Sequence, residues 1–139
     1  MKYWDSSALL ALVVDEDASE NRRALLRRDP GIVAWWGSRV ECASALNRLH
    51  REGGLDGGDL GRALQRLEEL AASWLEIRPL EQVRRRAIRL LRVHPLRAAD
   101  ALQLAAALVA ADEEPAGLDM VASAARLSEA ARQEGFRVC

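Results

Sequence analysis

Apolar positions along the chain alternate between short solid runs and runs spaced as on a helix face, and that alternation divides the sequence into elements. Lys2 to Asp5 is a strand candidate that stops at an acid; Ser6 and Ser7 then lead into Ala8 to Val14, which reads as a helix opened by serine capping. Ile32 to Trp36 is β-branched and aromatic, the composition of a buried strand, and a helix from Ser38 to about His50 follows it. Gly53 to Gly58 connects that helix to another over Leu60 to Ala71, because the run lacks the Gly-Lys-Ser/Thr ending of a phosphate-cradling loop. Trp74 to Ile77 is the third strand candidate.

In the helix predicted for Glu81 to Arg92, Val83, Ala87, Leu90 and Leu91 share one face and Arg85, Arg89 and Arg92 line the other. Pro95 suits the first turn of a further helix running to Ala111, with a loop from Asp112 to Gly117. Met120 to Ser123 and Phe136 to Cys139 are the last strand candidates, on either side of a helix near Arg126 to Gln133. Strands that alternate with helices imply an α/β fold whose parallel sheet is covered on both faces. Neither repeats nor linkers interrupt the pattern, so residues 1–139 are read as one domain.

Composition narrows the function. Half the residues are hydrophobic, enough for a core without staples, and two cysteines, Cys42 and Cys139, are too few for a disulfide framework or a zinc site, which fits a reducing cytoplasm. The longest apolar runs are too short to span a membrane, so a soluble cytoplasmic protein is expected. A net charge of −1 argues against bulk electrostatic coating of nucleic acid. Local contact is left to arginine, since Lys2 is the only lysine, and Arg85, Arg89 and Arg92 sit in the densest cluster; a charged stripe of this kind is more often a solvated helix face.

Three acids stand out. Asp5, at the junction of strand and helix, is placed either to cap the helix or to serve a site at the carboxyl end of the sheet. Glu41 follows Ser38 with capping-box spacing, a role that leaves lone pairs free for another partner. Asp100 is expected beyond the first turn of a helix that is apolar nearly all round, where a carboxylate needs an arginine, with Arg97 the nearest, or a metal. Acids converging on one sheet edge would need a cation between them, and magnesium, which keeps waters and accepts phosphate oxygens, suits phosphodiester hydrolysis. His50 and His94 are isolated and read as cap or surface residues.

The segments Asp5 to Leu9, Val40 to Leu49 and Leu96 to Ala105, in that order and spacing, resemble the three acid-bearing motifs of VapC-like PIN domains, and Arg126 to Phe136 is similar to that family's C-terminus. The resemblance implies an α/β/α sandwich and an Mg²⁺- or Mn²⁺-dependent endoribonuclease acting on RNA, with Asp5, Glu41 and Asp100 as metal-binding and catalytic acids and Ser6 as a polar support beside them. It also implies a VapB-like antitoxin that blocks the site, and a homodimer. One departure bears on activity: where the family carries a threonine and a fourth aspartate, this chain has Ala122 and Ala124. A rival expectation is therefore a PIN-like module whose chemistry has lapsed and which binds an antitoxin or regulatory partner. A phosphate-accepting receiver domain would share the sheet but needs a paired acid beside Asp5 and a late lysine, which the sequence lacks.

Overall fold

The computed structural model describes residues 1–139. In chain order the elements are β1 (Lys2–Trp4), α1 (Ser6–Val13), α2 (Ser19–Arg28), β2 (Ile32–Trp35), α3 (Ser38–Arg51), α4 (Gly57–Ala71), β3 (Leu75–Ile77), α5 (Glu81–Val93), α6 (Ala98–Ala110), β4 (Met120–Val121) and α7 (Ala125–Glu134), with a 3-10 turn at Pro115–Gly117. The strands form one sheet in the order β3-β2-β1-β4, and every pairing is parallel.

Period-two alternation in the strands divides the core into two halves. Tyr3, Val33, Trp35 and Met120 face a cluster completed by α5, α6 and α7, while Trp4, Ile32, Ala34 and Val121 face one completed by α1, α3 and α4. The sheet is thus buried on both faces in a three-layer α/β/α sandwich.

Several expectations change. The strand expected over Phe136 to Cys139 is only a single bridge, Val138 to Met120, so β4 ends the regular sheet. Helix α2 carried no signal, because it is mostly polar and the residues it buries are Ser19 and Arg22. Leu91 was expected on the inner face of α5, yet it falls at the flank and is 44% exposed, beside Ile88 at 57%. Pro95 lies upstream of α6 rather than in its first turn: the Leu96 amide donates back to the His94 carbonyl, and the helix starts only at Ala98.

A candidate acidic site at the carboxyl edge

Because all four strands run the same way, their carboxyl ends share one edge. There β1 ends and delivers Asp5, whose amide donates to the Val121 carbonyl of the neighbouring strand. The serine cap expected for α1 is Asp5 itself: its Oδ1 accepts the Ala8 amide at 3.0 Å, and the Ser7 hydroxyl lies 2.8 and 2.9 Å from its two oxygens. Capping and site roles are compatible here, since one amide and one hydroxyl proton leave carboxylate lone pairs unused. Only 2% of Asp5 is exposed. Burial pushes its pKa up to about 6; the Ala8 and Ser7 hydrogen bonds oppose the shift, and the nearby Glu41 charge adds to it.

Glu41 does not close a capping box. Gly37 is the N-cap of α3, Ser38 is already helical, and the Ser38 hydroxyl accepts from Gln103 Nε2 at 3.0 Å. The Glu41 carboxylate turns instead toward the start of α1 and toward α6: Ser6 Oγ donates to Oε2 at 2.6 Å and Gln103 Nε2 donates to Oε1 at 3.2 Å. Ser6 therefore supports Glu41, as a polar neighbour of the acids should. Gln103 is held in turn by Tyr3, whose hydroxyl donates to Gln103 Oε1 at 2.7 Å in the interior. Burial raises the Glu41 pKa against these donors, and Asp100 raises it further.

Asp100 differs from its expected setting. Since α6 starts at Ala98, Asp100 stands within the first turn, where the free amides and helix dipole favour an anion. It is half-buried rather than enclosed. Its carboxylate forms no side-chain hydrogen bond and Arg97 does not pair with it, so the cost of enclosing a charge falls on Asp5 instead.

The three acids thus form a series in which Asp5 feels Glu41 and Glu41 feels Asp100. No arginine, lysine or histidine forms an ion pair with any of them; the acids that are paired, such as Asp29, Asp119 and Glu134, lie elsewhere. Nor do three acidic, histidine or cysteine groups converge tightly enough to grip an ion as the side chains stand. What fits a divalent metal is the chemistry of the donor set: hard oxygens, an excess of negative charge, and one carboxylate enclosed without a counter-ion. Asp5 and Glu41 are the residues that could hold such an ion.

Residues outside the initial expectation complete this edge. Ser7 also accepts the Ser123 amide at 3.1 Å, and Arg22 Nη2 donates to the Ala122 carbonyl and to Ser123 Oγ at 3.1 and 3.0 Å. Gln103 was findable as the lone amide in an apolar helix, one turn after Asp100; Arg22 sits in a polar segment and gave no periodic signal. Arg85, Arg89 and Arg92 lie on the solvent face of α5, where Arg85 is 3.7 Å from Glu81, and none of them joins the acid network. His94 is buried rather than superficial, 2.8 Å from Glu134, and His50 meets the Leu55 carbonyl, so neither approaches the acids. Cys42 donates to the Ser6 carbonyl, and burial pushes its thiol up to about 12, which removes it as a nucleophile.

A parallel three-layer sandwich whose first strand ends on a buried acid belongs to the α/β proteins whose sites lie at the carboxyl edge. Within that class, the family model for the PIN domain matches residues 2–114, and the chain belongs to the PIN domain family. The fold is similar to FitAcB from Neisseria gonorrhoeae, with a TM-score of 0.68, 17% identity, and 99% of this chain and 96% of that chain covered. It is also similar to a toxin-antitoxin complex from Klebsiella pneumoniae, with a TM-score of 0.64, 15% identity, and 88% and 85% covered. A third likeness is to PAE2754 from Pyrobaculum aerophilum, with a TM-score of 0.64, 23% identity, and 99% and 83% covered. No match was found among curated proteins. No helix is long and apolar enough to cross a membrane.

Proposed function

We propose that the protein is a metal-dependent endoribonuclease and the toxin of a toxin-antitoxin pair, with Asp5, Glu41 and Asp100 as its metal-binding and catalytic acids. The observation that carries this reading is the burial of Asp5 without a cationic partner, next to a second raised carboxylate in Glu41. Structural carboxylates at such depth are paired with arginine or lysine; here the charge is left for something that comes from outside. Mg²⁺, or Mn²⁺ in its place, would neutralise charge on the scissile phosphate and lower the pKa of water. Ser6 and Gln103 fix the Glu41 carboxylate, leaving it able to take a proton from the attacking water, while Ser7 and the Ala8 amide fix Asp5.

Family membership supports nuclease chemistry, and the toxin-antitoxin complex among proteins of similar fold supports a VapB-like antitoxin as partner. A homodimer is supported by Ile88, Leu91 and Val93, apolar side chains that α5 leaves exposed. Arg85, Arg89 and Arg92 are assigned to RNA phosphates.

The alternative is a PIN-like module without turnover that binds an antitoxin or regulatory partner. It is favoured by Ala122 and Ala124 at the end of β4 and by the open spacing of the acids. Incubation of the protein with a mixed RNA pool under Mg²⁺ or Mn²⁺ decides between them. Cleavage that Asp5→Asn or Asp100→Asn lowers by at least about a hundredfold supports the nuclease. Equal RNA integrity with wild type and variants leaves the binding module.

A further inference from the structure

The β4 side of the carboxyl edge is built for the opposite charge from the β1 and β2 side. After Val121 the chain presents Ala122, Ser123 and Ala124, none of them acidic, and Ala124 begins α7 as an N-cap with no side-chain hydrogen bond. Over this turn lies Arg22, 8% exposed. Its Nη2 donates to the Ala122 carbonyl and to Ser123 Oγ, its Nη1 to Asn21 Oδ1, and its Nε is buried without a partner. No carboxylate forms an ion pair with it; Glu16 is the acid near enough to feel its charge, and the guanidinium is otherwise nearly enclosed. Arg22 is linked to the acids through Ser123, whose amide donates to Ser7, whose hydroxyl donates to Asp5.

A second divalent ion beside the first requires oxygen ligands on its own side, as paired-metal sites do. The oxygens available there are the Ala122 carbonyl and Ser123 Oγ, and both already accept from a guanidinium that would repel the ion. Resting on the metal-dependent reading above, we propose that this edge takes a single divalent cation, on the Asp5, Glu41 and Asp100 side, and that Arg22 excludes a second. Arg22 is a positioning residue of the site: it holds the turn that supports Ser7, and it occupies the place of a second ion.

Mn²⁺ titrated into the full chain, with free ion counted by electron paramagnetic resonance, tests this without reference to activity. One ion per chain is expected for the wild type. Ala124→Asp, at an exposed cap position, is expected to add a weaker second site, and combining it with Arg22→Gln is expected to tighten that second site by roughly three- to tenfold. Two comparable sites in the wild type, or no added site in Ala124→Asp, would overturn the proposal; an unmoved second affinity in the double variant would remove Arg22 from it. Should the double variant fail to fold by circular dichroism, the counts for wild type and Ala124→Asp stand alone and decide. No Mn²⁺ bound by the wild type would instead defeat the metal-dependent reading itself, an outcome distinct from binding two.

Discussion

At the scale of single residues, Asp5 is held in a state that costs the apo protein stability. Its folded pKa of about 6 lies above its ordinary value of 3.8, so between those pH values the folded state keeps a proton that the unfolded state has lost. Stability therefore falls as pH rises from about 4 to 6 and then levels, with about 2–3 kcal/mol lost at neutral pH. Asp5→Asn keeps an acceptor for the Ala8 amide but removes the charge. It should raise the thermal midpoint of the metal-free protein at pH 7 by several degrees and reduce the pH 4–6 slope, leaving the part that the raised Glu41 carboxyl contributes; if Mg²⁺ binds at Asp5, the variant should also lose the stability that the ion adds. Equal midpoints for variant and wild type at pH 7 would mean that Asp5 is not the strained group. Gln103 makes the complementary case: Gln103→Leu strands Tyr3 Oη and Ser38 in the interior and releases one Glu41 oxygen, at a cost of about 2–4 kcal/mol in urea unfolding. Tyr3→Phe should recover part of that loss in the double variant, because it removes one of the stranded hydroxyls. Motif order singles out the acids but not the side chains around them, since a hydrogen bond between Tyr3 and Gln103 spans a hundred residues of chain and leaves no mark in local spacing.

Among the elements, sequence pattern was most informative where a strand is buried on both faces or a helix has one apolar stripe. Thus β2, α3 and α5 stand close to where periodicity places them. It failed at α2, whose buried residues are polar, and at the start of α6, where Pro95 suits a first helical turn but the chain makes another turn before Ala98. That shift of a few residues moved Asp100 from the helix body into its first turn, and changed the reason for an acid at this position from forced pairing to a favourable dipole. Caps are where sequence and structure agree least, and they offer a direct test. Helices α1 and α4 are capped by Asp5 and Asp56, but α7 starts at Ala124 with no side-chain acceptor for its free amides. Ala124→Ser should therefore stabilise the protein by about 1 kcal/mol through an acceptor for those amides, without adding charge to the site. A stability unchanged within about 0.3 kcal/mol would show the α7 amides to be adequately solvated already. At its other end α7 stops on Gly135, whose φ of 106° no L side chain adopts readily, and where a Cβ would meet Pro115 Cγ at 3.1 Å. Gly135→Ala should cost about 1–2 kcal/mol at the same helix.

For the whole molecule, the near balance of 20 basic and 21 acidic residues means that RNA is not drawn in by net charge, so whatever attraction exists depends on where the charges lie. Without a bound cation the acids at the carboxyl edge would repel phosphate, and Arg22 is buried with its two terminal nitrogens engaged. Exposed arginines on α5 are then the free positive surface best placed to be tested: Arg85 has only a long contact to Glu81, and Arg89 and Arg92 have no ion pair. If they bind phosphates, replacing all three by alanine lowers the affinity for single-stranded RNA and reduces the slope of log K against log salt by about 2, at roughly 0.7 per phosphate contact. A stripe that is merely the solvated face of an amphipathic helix predicts the same fold, the same thermal midpoint and the same slope. Filter binding of a labelled oligonucleotide at a series of salt concentrations, with Ca²⁺ in place of Mg²⁺ to suppress cleavage, separates the two. An unaltered slope would return the arginines to the solvent face and leave substrate recognition to the carboxyl edge alone.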